Sequence, residues 1–473
     1  MSTPVVVQGT PVANPHVQGA GFATSITTTP QAGQKQAARC NDPIFALLFY
    51  VTVIAMVAVS IIYGPSAMGS DENGESYDYS GYVTATVIVV CLSFLASGGA
   101  LAIMMCIPET LIKVSLIFVV VLAGLWMVMA FLSGQIFAGV MGAIFFAMSL
   151  CYAKVVWGRI PFATANLVTS MTAIKANLGV TLYAYLFTII AGVWSIVWSV
   201  SFVGIYNESE TCDATGENCE PGYGILFVLF VAFFFVQQVL SSCVHATVAG
   251  TVGNWWFEPA EANSCCSSAV NNSFLRTVTT SFGSICFGSL IVAILEALRM
   301  LARAARENDD GNGILLCIAE CILGCLSSLM EYFNKWAFIY VGLYGYSYLE
   351  AGKNVFTLFH NRGWEAIIAD DLVQNVLFLM SLMTGGVMGG LALILDVSTD
   401  LFEEAGGDSK AVAFLLGFIV GLAISSVLLS TVGSGVNAVI VLFAEAPADF
   451  ERNHPQLSQR MRTTWNEVYP GSV

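Results

Sequence analysis

The chain has 473 residues, of which 56% are hydrophobic and only 10% are charged. Soluble domains carry about 25% charged residues, so this composition excludes an ordinary soluble globular protein. The formal net charge of −15 does not by itself indicate a cationic partner, because the acids cluster in a few connecting loops.

The amino-terminal segment, 1–34, carries no charged side chain and shows no periodic hydrophobic pattern. Such a segment cannot bury enough apolar surface to fold, so we predict a disordered cytosolic tail over 1–42. It lacks the basic start and compact apolar run of a cleaved signal peptide. The first hydrophobic run, 43–63, is therefore expected to serve both as the targeting signal and as the first membrane span.

Ten hydrophobic runs follow one another from residue 43 to residue 443, and a helix needs about 20 apolar residues to cross a bilayer. We therefore predict an all-α polytopic membrane protein with ten transmembrane helices in one bundle. The spans after the first are expected at 81–106, 111–133, 135–151, 178–205, 223–249, 278–300, 313–333, 372–397 and 410–443. The uncharged stretch 114–153 is too long for one crossing, so the chain must turn back within it, best at Ser133–Gln135.

Two segments are expected on the cytosolic side of the spans. Segment 334–371 is too polar to cross a membrane, yet it keeps apolar residues at helical spacing. This pattern predicts an amphipathic segment against the inner leaflet or the end of the bundle, acting as a gate or as a structural brace. Residues 444–473 are expected to form a cytosolic tail.

The lysines and arginines indicate the orientation of the spans. With the amino terminus inside, thirteen of the 17 basic residues fall on the cytosolic side, which the positive-inside rule favours for both termini. The basic cluster Arg299, Arg303 and Arg306 does not fit and falls at the outer end of the seventh span. These side chains either reach the outer headgroups or indicate that the seventh and eighth spans are misassigned.

One acidic outer loop combines two signals of an oxidising, glycosylating compartment. It contains Cys212 and Cys219, and Asn207 begins an Asn-Glu-Ser acceptor sequence. We therefore predict glycosylation of Asn207 and a disulfide between the two cysteines. The remaining cysteines lie in or beside spans or on the cytosolic side and are expected to be packing residues. Cys317, Cys321 and Cys325 recur every four residues without a histidine, so no metal site is predicted.

Small residues four apart allow helix backbones to approach closely in lipid. This pattern occurs in four pairs and argues for a compact bundle: Gly385 with Gly389, Gly386 with Gly390, Gly417 with Gly421, and Ser284 with Gly288.

Five ionisable side chains fall within predicted spans, where charge is costly and usually marks a site. They are His245, Glu296, Glu320, Glu331 and Asp396. Glu331 and Asp396 lie near span ends and are expected at the interface, and Glu296 is expected to pair with an arginine one turn away. Glu320 is the candidate for proton coupling.

Aromatic rings and neutral polar groups in the third, fifth and sixth spans predict a site for a small organic cation, because ring faces attract quaternary ammonium ions. An aromatic belt at the interface or plain packing is the alternative explanation. The predicted substrate-binding residues are Trp126, Trp194, Trp198, Gln237, Gln238 and His245.

Several runs of sequence are similar to one family of membrane carriers. They are Val244–Gly250, Trp255–Phe257, Thr280–Ser284, Phe287–Ile291, Tyr332–Lys335 and Leu343–Gly345. In content and order they closely resemble the choline transporter-like family, and the resemblance covers about 159–443. The loop after the first span, about 65–80, is short, as in the fungal, plant and protist branch.

The resemblance implies a ten-span carrier with cytosolic termini that moves choline or a related small organic cation by alternating access, with proton coupling as an option. It implies the plasma membrane, or else an organelle membrane, and no cofactor or nucleic-acid partner. A channel or scramblase and a non-transporting scaffold or sensor are the alternatives. No zinc-binding, phosphate-cradling or nucleophile-elbow motif predicts an enzyme.

Overall fold

A computed structural model of the protein describes residues 35–67, 80–212, 219–221, 223–308, 313–363, 372–399 and 409–470. Within these residues the regular structure is helical apart from two three-residue strands, which confirms the predicted all-α class. The strands, β1 (Glu210–Cys212) and β2 (Cys219–Pro221), form one antiparallel pair.

Ten of the helices are long and apolar enough to cross a membrane, as predicted. They are α1 (Pro43–Ala67), α2 (Ser80–Cys106), α3 (Pro108–Leu132), α4 (Ile136–Val156), α6 (Gly179–Ser209), α7 (Tyr223–Phe257), α9 (Phe282–Asn308), α10 (Gly313–Tyr344), α12 (Leu372–Thr399) and α13 (Ser409–Glu445). Shorter helices connect or follow them: α5 (Ile160–Ala176), α8 (Ser268–Val278), α11 (Tyr348–Arg362), α14 (Pro447–Asn453) and α15 (Pro455–Val468), with a 3-10 turn at Trp157–Arg159.

The predicted turn between the third and fourth spans is confirmed. Helix α3 ends at Leu132, α4 begins at Ile136, and Gly134 between them has φ 75°, a conformation that glycine adopts without strain. The two helices then pack closely, since a Cβ atom on Gly142 would lie 3.0 Å from the Cα atom of Met127.

The predicted amphipathic segment 334–371 needs a correction. Its first part is the last three turns of α10, which continues without a break to Tyr344 and buries Trp336 and Ile339 in the core. Hydropathy ended the span too early because Asn334 and Lys335 interrupt the apolar run. The second part contains the separate helix α11, and residues 364–371 of the segment lie outside the described residues.

The spans form two groups. Helices α1, α6, α7, α9 and α10 pack mainly against one another, and α2, α12 and α13 form the second group with α3 and α4 beside them. The α12–α13 pair has the most extensive contact and uses the predicted glycines: a Cβ atom on Gly417 would lie 2.6 Å from the Met388 carbonyl oxygen. The two groups meet where α13 contacts α7, α6 and α10.

Residues 35–42, which we call the N-terminal strap, lie across the end of the bundle where α1 begins. The sequence assigns them to the disordered tail, but the Asn41 backbone N–H donates to the Thr280 carbonyl at 3.2 Å and its side-chain amide donates to the Gly345 carbonyl at 2.8 Å. The strap fits because residue 283 is glycine, whose Cβ would lie 2.3 Å from the Asn41 carbonyl oxygen. The rest of the predicted tail, 1–34, lies outside the described residues.

Asp42, the last residue of the strap, joins two further helices. Its Oδ2 atom accepts hydrogen bonds from the Ser284 hydroxyl at 2.6 Å and from the Tyr348 backbone N–H at 3.2 Å. The strap therefore connects the starts of α1, α9 and α11 at one end of the bundle.

The carboxy-terminal segment packs against the same end. Trp465 of α15 is fully buried and its ring lies 4.8 Å from that of Phe162. The Asn453 side-chain amide donates to the carbonyls of Trp256 and Phe257 at 2.9 Å, which satisfies the last turn of α7. Residues 447–468 of the predicted tail are thus two docked helices. We call this end of the bundle the terminal end and the opposite end the distal end.

Candidate functional site

A cavity of about 240 Å³ lies where the two helix groups meet, and we call it cavity A. This volume lies just below the range of about 300–1,000 Å³ that is usual for ligand pockets. Four helices supply its lining, which is mainly neutral and polar: Gln238, Ser241, Ser242 and His245 from α7; Glu331, Asn334, Lys335 and Phe338 from α10; Gln374 from α12; and Ser430, Gly433, Ser434 and Asn437 from α13.

His245 fixes three of these helices relative to one another. Its Nε2 atom lies 2.8 Å from the Lys335 carbonyl oxygen, and its Nδ1 atom lies 2.7 Å from the Ser434 hydroxyl. A carbonyl only accepts, so Nε2 carries the hydrogen and Nδ1 accepts from Ser434. Because both ring nitrogens are used within the protein, His245 shapes cavity A and positions its walls.

Asn334 forms the floor of the cavity together with neighbours on α9 and α11. Its side-chain amide donates to the Gly288 carbonyl at 2.9 Å, and its Oδ1 atom accepts from the Tyr348 hydroxyl at 2.5 Å. A Cβ atom on Gly288 would lie 2.5 Å from the Tyr348 ring, so glycine is needed for this close packing. The polar floor is thereby held rigidly.

Two charged side chains, Glu331 and Lys335, contribute to cavity A. Glu331 is exposed within this wall, and the Lys335 ammonium group lies over the Trp336 ring, 5.1 Å from its centroid. Lys335 also lines a much smaller cavity of about 20 Å³ on the terminal side. The acid and the base therefore occupy different levels of the site.

The side chains that line cavity A become more exposed towards the distal end of the bundle. On α10 the distal residue Glu331 is exposed and Asn334 is buried, and on α13 the distal residue Ser430 is exposed and Ser434 is buried. On α7 the distal residue Ser241 is exposed. The cavity is thus open towards the distal half of the bundle and closed towards the terminal end.

A cluster of aromatic and acidic side chains closes the terminal side. The hydroxyls of Tyr340 and Tyr344 donate to the Glu445 carboxylate at 3.3 Å and 2.8 Å, which joins the ends of α10 and α13. Both tyrosines are buried. A path from cavity A to the terminal end between α10 and α13 would have to break these hydrogen bonds.

Of the predicted substrate-binding residues, the structure brings only Gln238 and His245 into cavity A. Its neighbour Gln237 points about 100° away around the helix, where its amide donates to the Ser195 hydroxyl at 2.9 Å. Gln237 and Gln238 are adjacent on the helix, so they cannot both face cavity A. The sequence prediction did not take this into account.

The predicted tryptophans do not assemble into a cage around a cation. The Trp198 indole N–H donates to the Leu229 carbonyl at 2.8 Å, and its ring packs on Phe202 and Phe233. Trp194 is buried without lining cavity A, and Trp126 on α3 is 69% exposed on the outside of the bundle. Their positions are those of packing and lipid-facing side chains.

Glu320, the candidate for proton coupling, forms ion pairs within the protein. Its two oxygens pair with Arg303 at 3.2 Å and with Arg306 at 2.8 Å, across the α9–α10 contact. The predicted pairing of Glu296 with Arg299 is confirmed at 3.7 Å. The basic cluster of α9 therefore finds carboxylate partners within the protein and does not need lipid headgroups.

Sequence reasoning missed most of the polar lining of cavity A. The missed residues include Ser241, Ser242, Asn334, Gln374, Ser434 and Asn437. Each is a neutral side chain within a span, and the sequence prediction considered mainly the ionisable side chains there. The spacing of Ser430, Ser434 and Asn437 at four and three residues would have identified the inward face of α13.

The predicted outer loop is described only in part. Asn207 lies in the last turn of α6, and the backbone pairing of β1 with β2 places Cys212 directly opposite Cys219. Opposed residues in antiparallel strands have Cα atoms about 4.5–5.5 Å apart, a separation that a disulfide can bridge.

Comparison with known proteins places the chain in a family of membrane transporters. The sequence model of the plasma-membrane choline transporter family matches residues 140–448, which include every residue that lines cavity A. Protein PNS1 of Cryptococcus neoformans var. neoformans serotype D is 28% identical over 497 residues, covering 97% of this chain and 89% of that protein. Protein PNS1 of Eremothecium gossypii is 27% identical over 452 residues, covering 88% of this chain and 80% of that protein.

Proposed function

Because the chain belongs to the plasma-membrane choline transporter family and is an integral multi-pass membrane protein, we propose that it carries choline or a related small organic cation through cavity A by alternating access. The family supports a transporter role, so we assign the cavity to binding and transport rather than to catalysis. The plasma membrane is the proposed location.

The single observation that carries this proposal is the position of cavity A. It lies between two helix groups, opens towards the distal half of the bundle and is closed at the terminal end by the Tyr344–Glu445 contact. An alternating-access carrier needs a site between two rigid parts that is reached from one side at a time. Rocking of the groups about the α7–α13 contact would open the other side.

The lining suits a small cation that also carries a hydroxyl. A quaternary ammonium group cannot form ordinary hydrogen bonds, and the Glu331 carboxylate and the Phe338 ring supply the negative charge and the ring face that attract it. Amide and hydroxyl groups such as those of Gln238 and Asn437 can bond the hydroxyl of the substrate. A single acid at the distal rim attracts the cation without trapping it.

We propose that the terminal end faces the cytosol. The positive-inside rule supports this orientation, since the strap, the 3-10 turn, α5, α8, α11, α14 and α15 together carry ten of the 17 lysines and arginines. The described conformation is then open outward and closed inward. The proton-coupling role of Glu320 stays a prediction, and its two arginine partners favour a structural role.

Counterflow in proteoliposomes tests the proposal. Vesicles loaded with unlabelled choline should accumulate external labelled choline transiently, because a carrier exchanges one substrate for another. A channel would show no such overshoot, and a scaffold would show no uptake at all. Absence of the overshoot in vesicles that contain folded protein would overturn the proposal.

A further inference from the structure

A second, larger cavity lies beside cavity A, and we call it cavity B. It has a volume of about 420 Å³ and lies between α2, α6, α7 and α13. Its walls include Phe94, Ile189, Val420, Ile424 and Val427, so the lining is mainly apolar. No sequence pattern predicted this cavity.

The polar side chains of cavity B already donate hydrogen bonds within the protein. The hydroxyl of Thr188 donates to the Ala184 carbonyl at 2.8 Å, and the hydroxyl of Ser195 donates to the Ala191 carbonyl at 2.9 Å. Gln237 donates to Ser195. Ile189 in its wall is 53% exposed, so cavity B opens on the outside of the bundle. An apolar lining without free donors accepts apolar molecules.

A small space, which we call the neck, adjoins both cavities. It has a volume of about 50 Å³, is lined by Phe187, Leu240 and Val244, and shares Ser241 with cavity A. It shares Gln237 and three further lining residues with cavity B. The mainly apolar neck therefore lies next to the polar cavity A on one side and the apolar cavity B on the other.

We propose that cavity B holds an alkyl chain whose cationic head group lies in cavity A, so that the site accepts single-chain amphiphilic cations as well as small ones. The assignment of the head group rests on the proposed function, and the assignment of the tail rests on cavity B itself. Each methylene buried in an apolar wall should tighten binding about threefold to fourfold.

Gly192 on α6 offers a direct way to fill cavity B. It lines the cavity, and a Cβ atom there would meet no atom within 4 Å, so the side chain of Gly192→Leu would begin in open space at the cavity wall. Leucine is also a better helix former than glycine. Gly99 on α2 has the same open surroundings but does not line cavity B, which makes Gly99→Leu the matched control.

The experiment measures thermal stabilisation of the purified full-length protein by alkyltrimethylammonium ions from ethyl to octyl, all below micelle-forming concentrations. In the wild type and in Gly99→Leu, the apparent dissociation constant should fall about threefold to fourfold per methylene. In Gly192→Leu the fall should be at most half as steep. The same slope in all three proteins would mean partition into the detergent and would overturn the inference.

The outcome is separable from that of the proposed function. If choline counterflow is present but Gly192→Leu keeps the wild-type slope, cavity B is not a tail site and the proposed function stands. If choline neither binds nor exchanges but the slope is lost only in Gly192→Leu, the tail site stands and the choline assignment is wrong.

Discussion

The Nδ1 atom of His245 and the hydroxyl of Ser434 form a hydrogen bond of 2.7 Å that crosses the boundary between the two helix groups. The other ring nitrogen bonds the Lys335 carbonyl within the first group. Movement of one group relative to the other must therefore break the His245–Ser434 bond and can leave the His245–Lys335 bond intact.

Ser434→Ala should weaken the contact between the groups without disturbing either group. Loss of one hydrogen bond costs about 0.5–1.5 kcal/mol, a two- to twelvefold change in an opening equilibrium. Hydrogen exchange of peptides from the last two turns of α13 should accelerate by this factor. Ser426→Ala is the control, because that hydroxyl bonds only the Ala423 carbonyl of its own helix in the described contacts. Equal exchange in both variants would contradict the role of Ser434.

Glu331→Gln should reduce the affinity of cavity A for cations. An exposed charge contributes about 0.2–1 kcal/mol to a pair, so the half-saturating choline concentration should rise up to about fivefold. The difference from the wild type should shrink at high salt because ions screen the carboxylate. Initial uptake rates in proteoliposomes measure both effects. Glu467→Gln, on the exposed face of α15, is the control and should change neither the half-saturating concentration nor its salt dependence. If Glu331→Gln has the half-saturating concentration of the wild type, Glu331 does not contribute to the site.

Trp198→Phe should lower stability and leave the apparent affinity for choline unchanged. The substitution keeps a ring among the neighbouring phenylalanines but removes the indole donor to the Leu229 carbonyl, at a cost of about 0.5–1.5 kcal/mol. A thermal melt in detergent and the half-saturating concentration provide the two readouts. Trp126→Phe, on the lipid-facing side, should leave the melting midpoint unchanged. A large loss of choline affinity in Trp198→Phe would contradict this expectation and show that the indole takes part in binding.

Asn207 should carry an N-linked glycan if the terminal end faces the cytosol, because the last turn of α6 then lies outside. Endoglycosidase treatment of protein made in a eukaryotic host should increase its mobility, and Asn207→Gln should abolish that change. Asn271 begins a second acceptor sequence, Asn-Asn-Ser, in α8 at the opposite end of the bundle, so Asn271→Gln is the control. Glycosylation at Asn271 alone would invert the proposed orientation.

Cys212 and Cys219 should form a disulfide in the same loop. Closing a loop of about eight residues stabilises the folded state by about 2.5 kcal/mol in the chain-entropy account. Mass spectrometry of unreduced peptides should find the two cysteines linked, and Cys212→Ser should lower the thermal midpoint as much as the double variant does. Additive effects of the two single substitutions would argue against the bond.

The number of the spans and the approximate residue at which each begins could be predicted because length and hydropathy decide them, but hydropathy ended the eighth span too early. The glycine turn after Leu132 and the glycine pairs of α12 and α13 also followed from local sequence. The inward faces did not, since lipid-facing side chains are as apolar as buried ones and a helix in a bilayer need not show a polar side. Trp126 and Trp194 look alike in sequence, yet one faces out and the other is buried.

The polar parts of the site were harder still. Asn334 and Lys335 resemble the end of a span, and only the tertiary structure supplies the Gly288 carbonyl and the Tyr348 hydroxyl that make Asn334 acceptable inside a bundle. Sequence separation hides such partners, because each belongs to a different helix.

The strap can complete its contacts only late in translation. Asp42 leaves the ribosome early, but its partner Tyr348 follows 306 positions later. At about 5–20 residues per second, the strap waits roughly 15–60 s before the start of α11 exists. During that interval the first span lies in the membrane without the contact between Asp42 and Tyr348. A nascent chain that is halted before Tyr348 cannot form the hydrogen bond from Tyr348 to Asp42. Complete docking of the strap therefore shows that translation has passed the start of α11.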